Sequence, residues 1–193
     1  MKRALASFGV ALIIFIFVFY AWSEKTVDPK RLTALGGIEV HIASGAAEVV
    51  GKPVSDIRVT IVDVSPELAR QASIRIDRNQ KPILVDISDL PHMARAYIEV
   101  PESSSITVSM HSGELKIEGI RGDIYALLRS GSMIINVGSI SHYSSANGFV
   151  LAGSLEARAF GVDKGGIWRM FRWNGTGKCR IDAHVTMGEL ILE

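Results

Sequence analysis

Apolar and polar residues alternate through most of this chain downstream of residue 36, and the alternation is punctuated by glycine. The clearest stretch is Ile106 to Gly138, ITVSMHSGELKIEGIRGDIYALLRSGSMIINVG, which contains one unit almost twice: ITVSMHSGELKIEG and DIYALLRSGSMIINVG. Each unit is an alternating apolar run, a Ser-Gly corner and a second alternating run. Gly113 and Gly131 lie 18 residues apart, close to the length of one coil in a stacked β architecture. Period-two alternation predicts strands with one buried face. A recurring unit predicts that neighbouring copies cover each other's open faces.

Counting from the corner glycine assigns the faces. Before it, Ile106, Val108 and Met110 match Ile124, Ala126 and Leu128, and also Ile38, Val40, Ile42 and Ile181, Ala183, Val185. After it come Leu115 and Ile117, Met133 and Ile135, Leu190 and Leu192. The inward set is odd before the glycine and even after it, the parity change expected where a corner re-aims a strand. Corners are therefore expected at Gly45, Gly113, Gly131 and Gly188. A degraded fifth is expected at Gly148, 17 residues past Gly131, with Val150 and Ala152 inward. Gly165-Gly166 follows at a similar interval. In a linear stack the first and last copies would lie far apart.

Between the first copy and the central repeat, Asp56–Val64, Ser73–Asp77, Ile83–Ser88 and Tyr97–Val100 alternate as strands, the last ended by Pro101. Ser65-Pro66 signals a helix start, predicting one short helix near 66–71. The fold class is all-β: a single-stranded β-solenoid-like stack of short strands with Ser-Gly corners.

The first 23 residues differ. Lys2 and Arg3 precede an uncharged apolar run, Ala4 to Ser23, with Tyr20 and Trp22 at its far end. That length and those interfacial rings fit a transmembrane helix better than a cleaved signal. The expected organisation is an amino-terminal signal anchor over 1–23, inserting in the membrane through residues 4–23, a linker over 24–35, and an exported domain over 36–193.

Composition narrows the chemistry. With 21 basic and 20 acidic residues, there is no electrostatic case for a nucleic-acid partner. Cys179 is the only cysteine, which removes intramolecular disulfides and cysteine-based zinc sites; a buried, inert thiol is expected. The histidines His41, His92, His111, His142 and His184 show no metal-ligand spacing. No nucleophile elbow or phosphate-binding loop is present. No catalytic residue, cofactor or metal site is assigned. The segment Ile167–Trp173, IWRMFRW, concentrates aromatics and arginines, and Trp168, Arg169, Phe171, Arg172 and Trp173 form the candidate interaction patch. The competing role for these residues is a lid over one end of the stack.

The order YIEVP, ITVSMHSGELKIEG, GDIYALLRSGSMIINVG and GKCRIDAHVTMGELILE resembles the bacterial putative-adhesin family across Ile38–Glu193. That resemblance implies a β-solenoid-like fold, an envelope location in the bacterial cell membrane and no established catalytic residues. The chain departs from it at Ser141, Tyr143 and Ser145 and in the bulky segment Gly161–Asn174. Non-catalytic adhesion, envelope scaffolding or protein–protein interaction is the expected role. A regulatory or sensor subunit of an envelope-stress system and a polysaccharide-acting enzyme are the alternatives.

Overall fold

The computed structural model describes residues 37–193. The expected anchor over 1–23 and linker over 24–35 lie outside the described residues, as does residue 36. No helix among the described residues is long and apolar enough to cross a membrane.

The described residues are mostly strand: β1 (Ile38–Lys52), β2 (Arg58–Val62), β3 (Ser73–Asp77), β4 (Ile83–Ser88), β5 (Arg95–Pro101), β6 (Ile106–Glu118), β7 (Ile124–Ile135), β8 (Tyr143–Ala157), β9 (Val162–Asn174) and β10 (Cys179–Leu192). The one α-helix among the described residues, α1 (Pro66–Ala69), starts where serine and proline predict, with the Leu68 amide donating to Ser65 Oγ at 3.4 Å. It ends two residues before Gln71.

All ten strands form one sheet, in the order β2-β5-β1-β6-β7-β10-β8-β9, with β4 beside β1 and β3 beside β4. The central strands β1, β6, β7, β10 and β8 run parallel and in register, so that Gly45, Gly113, Gly131, Gly188 and Gly153 face one another in sequence. All five have φ between +117° and +137°, a range that disfavours any residue with a Cβ. Each strand bends there, and the inward side chains of its two halves meet in one core. Ile106, Val108 and Met110 before the bend and Leu115 and Ile117 after it belong to the same buried cluster.

Two sequence expectations change. The fifth corner is Gly153, not Gly148, because Gly188 pairs with Gly153 while Gly148 pairs with Ala183. The parity rule itself holds when counted from Gly153: Ala146, Gly148, Val150, Leu155 and Ala157 are all buried. Ala152, expected inward, is half-exposed. The second change is order. The last strand, β10, does not end the stack but lies between β7 and β8. His41 on β1 and His184 on β10 are consequently only three strand spacings apart, about 14 Å.

Both ends of the parallel array are closed by antiparallel strands. At one end β4 and β5 pair with successive halves of β1, the loop 89–94 replaces a corner glycine, and β3 and β2 close those strands. At the other end β9 runs back along β8, with Gly166 opposite Gly153.

The core tapers toward β9. The column before the bend reads Val85, Val40, Val108, Ala126, Ala183, Gly148 across β4, β1, β6, β7, β10 and β8. Opposite the last and smallest member sits Phe171. Ala146 likewise lies opposite Trp173. Small residues on β8 thus make room for large rings from β9, keeping packing dense where the array stops.

Candidate interaction surface

The segment expected to be one patch is divided by strand alternation. Phe171 is 5 % exposed within the core, and Trp173 packs against the same cluster. Phe160, on the turn before β9, lies 5.0 Å from the Phe171 ring and 5.1 Å from the Trp173 ring. These rings are a lid. Arg172 is exposed and points outward opposite Asn147. Arg169 pairs with Val150 and is half-buried, its guanidinium curled against Gly166. Its Nε is buried with no hydrogen-bond partner.

Trp168 goes the other way. Its backbone has φ +59°, uncommon for a bulky residue. Its ring meets Phe149 of β8 edge-on at 5.8 Å. From there the rings continue across the sheet: Phe149 to His184 of β10 at 5.9 Å, and His184 to Tyr125 of β7 at 6.1 Å. Leu127 lies beside His184 and Met170 beside Phe149. Tyr125, Leu127, His184, Phe149, Met170 and Trp168 therefore make a continuous aromatic and apolar surface on the outward face of four adjacent strands. Asn147 Nδ2 donates to Asp182 Oδ1 at 2.8 Å along its border.

Burial among the rings pushes the His184 pKa below its ordinary value, against the opposing effect of Asp182. The same burial, aided by Asp182, pushes Tyr125 up to about 12. Both groups are uncharged at neutral pH, so the surface is an electrically quiet strip.

The outward face beyond the glycine bend is its opposite. Lys116 bridges Glu118 at 2.7 Å and Glu48 at 2.9 Å, which raises its pKa. Arg158 pairs with Glu156 and Glu193. Ser132 and Ser154 donate to the two oxygens of Glu189 at 3.5 and 3.3 Å. On this solvated face Lys116 and Arg158 both find carboxylate partners within the sheet.

The remaining candidates are scattered. His41 contacts Glu39 at 2.8 Å; His92, His111 and His142 are exposed on separate turns and strands. Among the described residues no three His, Cys, Asp or Glu side chains converge as a metal site. Cys179 is half-buried rather than fully buried, donating from Sγ to the Arg121 carbonyl at 3.0 Å. Partial burial, with Asp123 nearby, raises its pKa and keeps it a thiol.

Sequence reasoning found Trp168 but missed Tyr125, Phe149 and His184. They are scattered along the chain and become neighbours only through the strand order. The usable signal was parity: each is a ring at an outward offset from its own corner glycine.

No family model matches the chain, and no curated protein matches it. Among solved structures, a "putative cell adhesion protein" from Clostridium sporogenes superposes with a TM-score of 0.51 at 12 % identity, covering 80 % of this chain and 90 % of that one. This likeness shows a shared fold.

Proposed function

We propose that the chain is a membrane-anchored, extracytoplasmic β-solenoid domain of the adhesin-like kind, which acts without catalysis by binding another protein through its aromatic face. The observation carrying this reading is the strip from Tyr125 through His184 and Phe149 to Trp168. A contiguous, half-exposed apolar surface rich in rings costs solubility and is retained where a partner covers it. The array of in-register strands bent at stacked glycines supports the solenoid description. The fold shared with a protein described as a cell adhesion protein is consistent with an adhesive role. Export and anchoring rest on the apolar run Ala4–Ser23.

Photo-crosslinking in intact membranes tests it. A crosslinking side chain at Phe149 or Trp168 should yield a discrete protein adduct, and one at Lys116 should not. Equal labelling from both faces, or none from either, would overturn the reading. Recovery of the mature chain without residues 4–23 would overturn the anchor.

A further inference from the structure

The two ends of the sheet are closed differently. At one end, the edge strands β2 and β3 have five residues each. Their cations are matched: Arg58 with Glu99, Arg75 with Asp77, and the adjacent Arg78 with Asp56. Short, charge-paired edges resist the addition of another strand. At the other end β9 has 13 residues, contains no proline and forms the last strand of the sheet. It carries Lys164, Arg169 and Arg172 against the single acid Asp163. None of the three cations lies within ion-pair distance of a carboxylate among the described residues.

The ladder shows which backbone groups of β9 are unused. The Gly175 amide donates to the Ser144 carbonyl at 2.9 Å, and this pair continues the β8–β9 register. Antiparallel pairs alternate between bonded and non-bonded positions. The N–H and C=O of Asn174, Arg172 and Met170 therefore point away from β8, toward the open edge. Consistent with this, the Met170 carbonyl accepts from Lys164 Nζ at 3.1 Å, a cation folded over that edge. Arg172 and Met170 also present their side chains on the outward face, next to Asn147 and Phe149.

We propose that β9 is the docking edge for an acidic, extended segment of a partner protein, which adds as a further strand. Its backbone bonds the free groups of Met170, Arg172 and Asn174, displacing Lys164 from the Met170 carbonyl. Its carboxylates meet Arg172 and Lys164, and its apolar side chains on the outward face continue the aromatic strip past Met170. Strand addition of this kind takes affinity from main-chain bonds and selectivity from alternate side chains. The inference rests on the reading of the strip as a protein-binding surface and adds the partner's conformation and charge.

The test uses the purified full-length chain and a labelled twelve-residue peptide in which every second residue is Thr and the positions between are Glu and Tyr in turn, so that one face carries both, followed by fluorescence anisotropy and hydrogen exchange. Saturable binding tighter than about 1 mM is expected, with new protection confined to residues 168–174. Arg172→Glu should weaken it about tenfold or more. Met170→Pro should abolish it while sparing the β8 ladder, since that amide faces outward. A matching peptide with Lys in place of Glu should not bind. Equal binding of the Lys peptide, protection outside β9, no binding of the Glu peptide, or self-association through β9 in its place would each overturn the proposal. If crosslinking from Phe149 still finds a partner that ignores Arg172→Glu and Met170→Pro, the edge proposal falls while the interaction reading stands.

Discussion

The carbonyl oxygen of Gly113 occupies the space where a Cβ on Gly131 would have to go. The same overlap recurs between Gly188 and Gly131 and between Gly153 and Gly188. Stacked corners thus leave no room for a side chain, quite apart from the positive φ. Gly131→Ala should cost at least about 3 kcal/mol and leave little folded protein. Gly45 is the control, since a Cβ there meets only the Leu90 side chain, at 3.2 Å. Gly45→Ala should retain a cooperative transition, with a loss of about 1–3 kcal/mol from backbone strain alone. Equal chemical-denaturation midpoints for the two variants would contradict this account of the corner.

Phe171 fills the end of the core above Gly148. Truncating it to alanine should destabilise by about 3–5 kcal/mol. Arg172→Ala, one residue away on the outward face, should stay within about 0.5 kcal/mol of the parent. Thermal denaturation of both variants measures whether β9 is a lid on alternate positions.

At Trp168 the ring and the backbone pull in different directions. The ring contacts Phe149, yet φ is +59°. Trp168→Ala loses the contact and keeps the strain, whereas Trp168→Gly loses the contact and relieves it. The glycine variant should be more stable than the alanine variant by about 1 kcal/mol, and both should lose crosslinking to a partner. A less stable glycine variant would argue against a left-handed backbone at this position.

His184 should make stability depend on pH. Its folded pKa lies below the ordinary value of 6.5 because burial disfavours the charged ring. The unfolded chain therefore binds the proton first as pH falls. The contribution is complete above about pH 6.5 and is lost progressively as pH drops through the folded pKa. His184→Phe should flatten the denaturation midpoint against pH between about 7 and 5. An unchanged slope would mean that Tyr125 and Phe149 leave the ring solvated.

Much of the architecture was legible because its code is local. Alternation identified the inward residues of β1, β6, β7 and β10, and Ser65-Pro66 marked the start of α1. The error at Gly148 has a physical origin. A constant spacing places the corner at Gly148, but the 3-10 turn at Ile140–His142 lengthens the connection and moves it to Gly153. A Cβ at Gly148 would press on the side chains of Leu190 and Leu155, with Phe171 beyond them, a crowding that exists only in three dimensions. The aromatic segment was visible, but its division was not: parity along β9 can be read only against the register with β8. The strip was less visible still, because Tyr125, Phe149, Trp168 and His184 come together through the insertion of β10, which no local pattern encodes.

That insertion governs the order in which the molecule can be made. β7 and β8 each need β10 between them, yet β10 is synthesised after both. The sheet cannot zip up strand by strand behind the ribosome or export channel. Synthesis up to Asn174 leaves two long parallel edges facing a gap, each able to capture another copy of the chain. Maturation should therefore be a single late event, triggered by the arrival of Cys179–Leu192. A chain stopped at Asn174 should aggregate, and supplying the final segment as a separate peptide should rescue it.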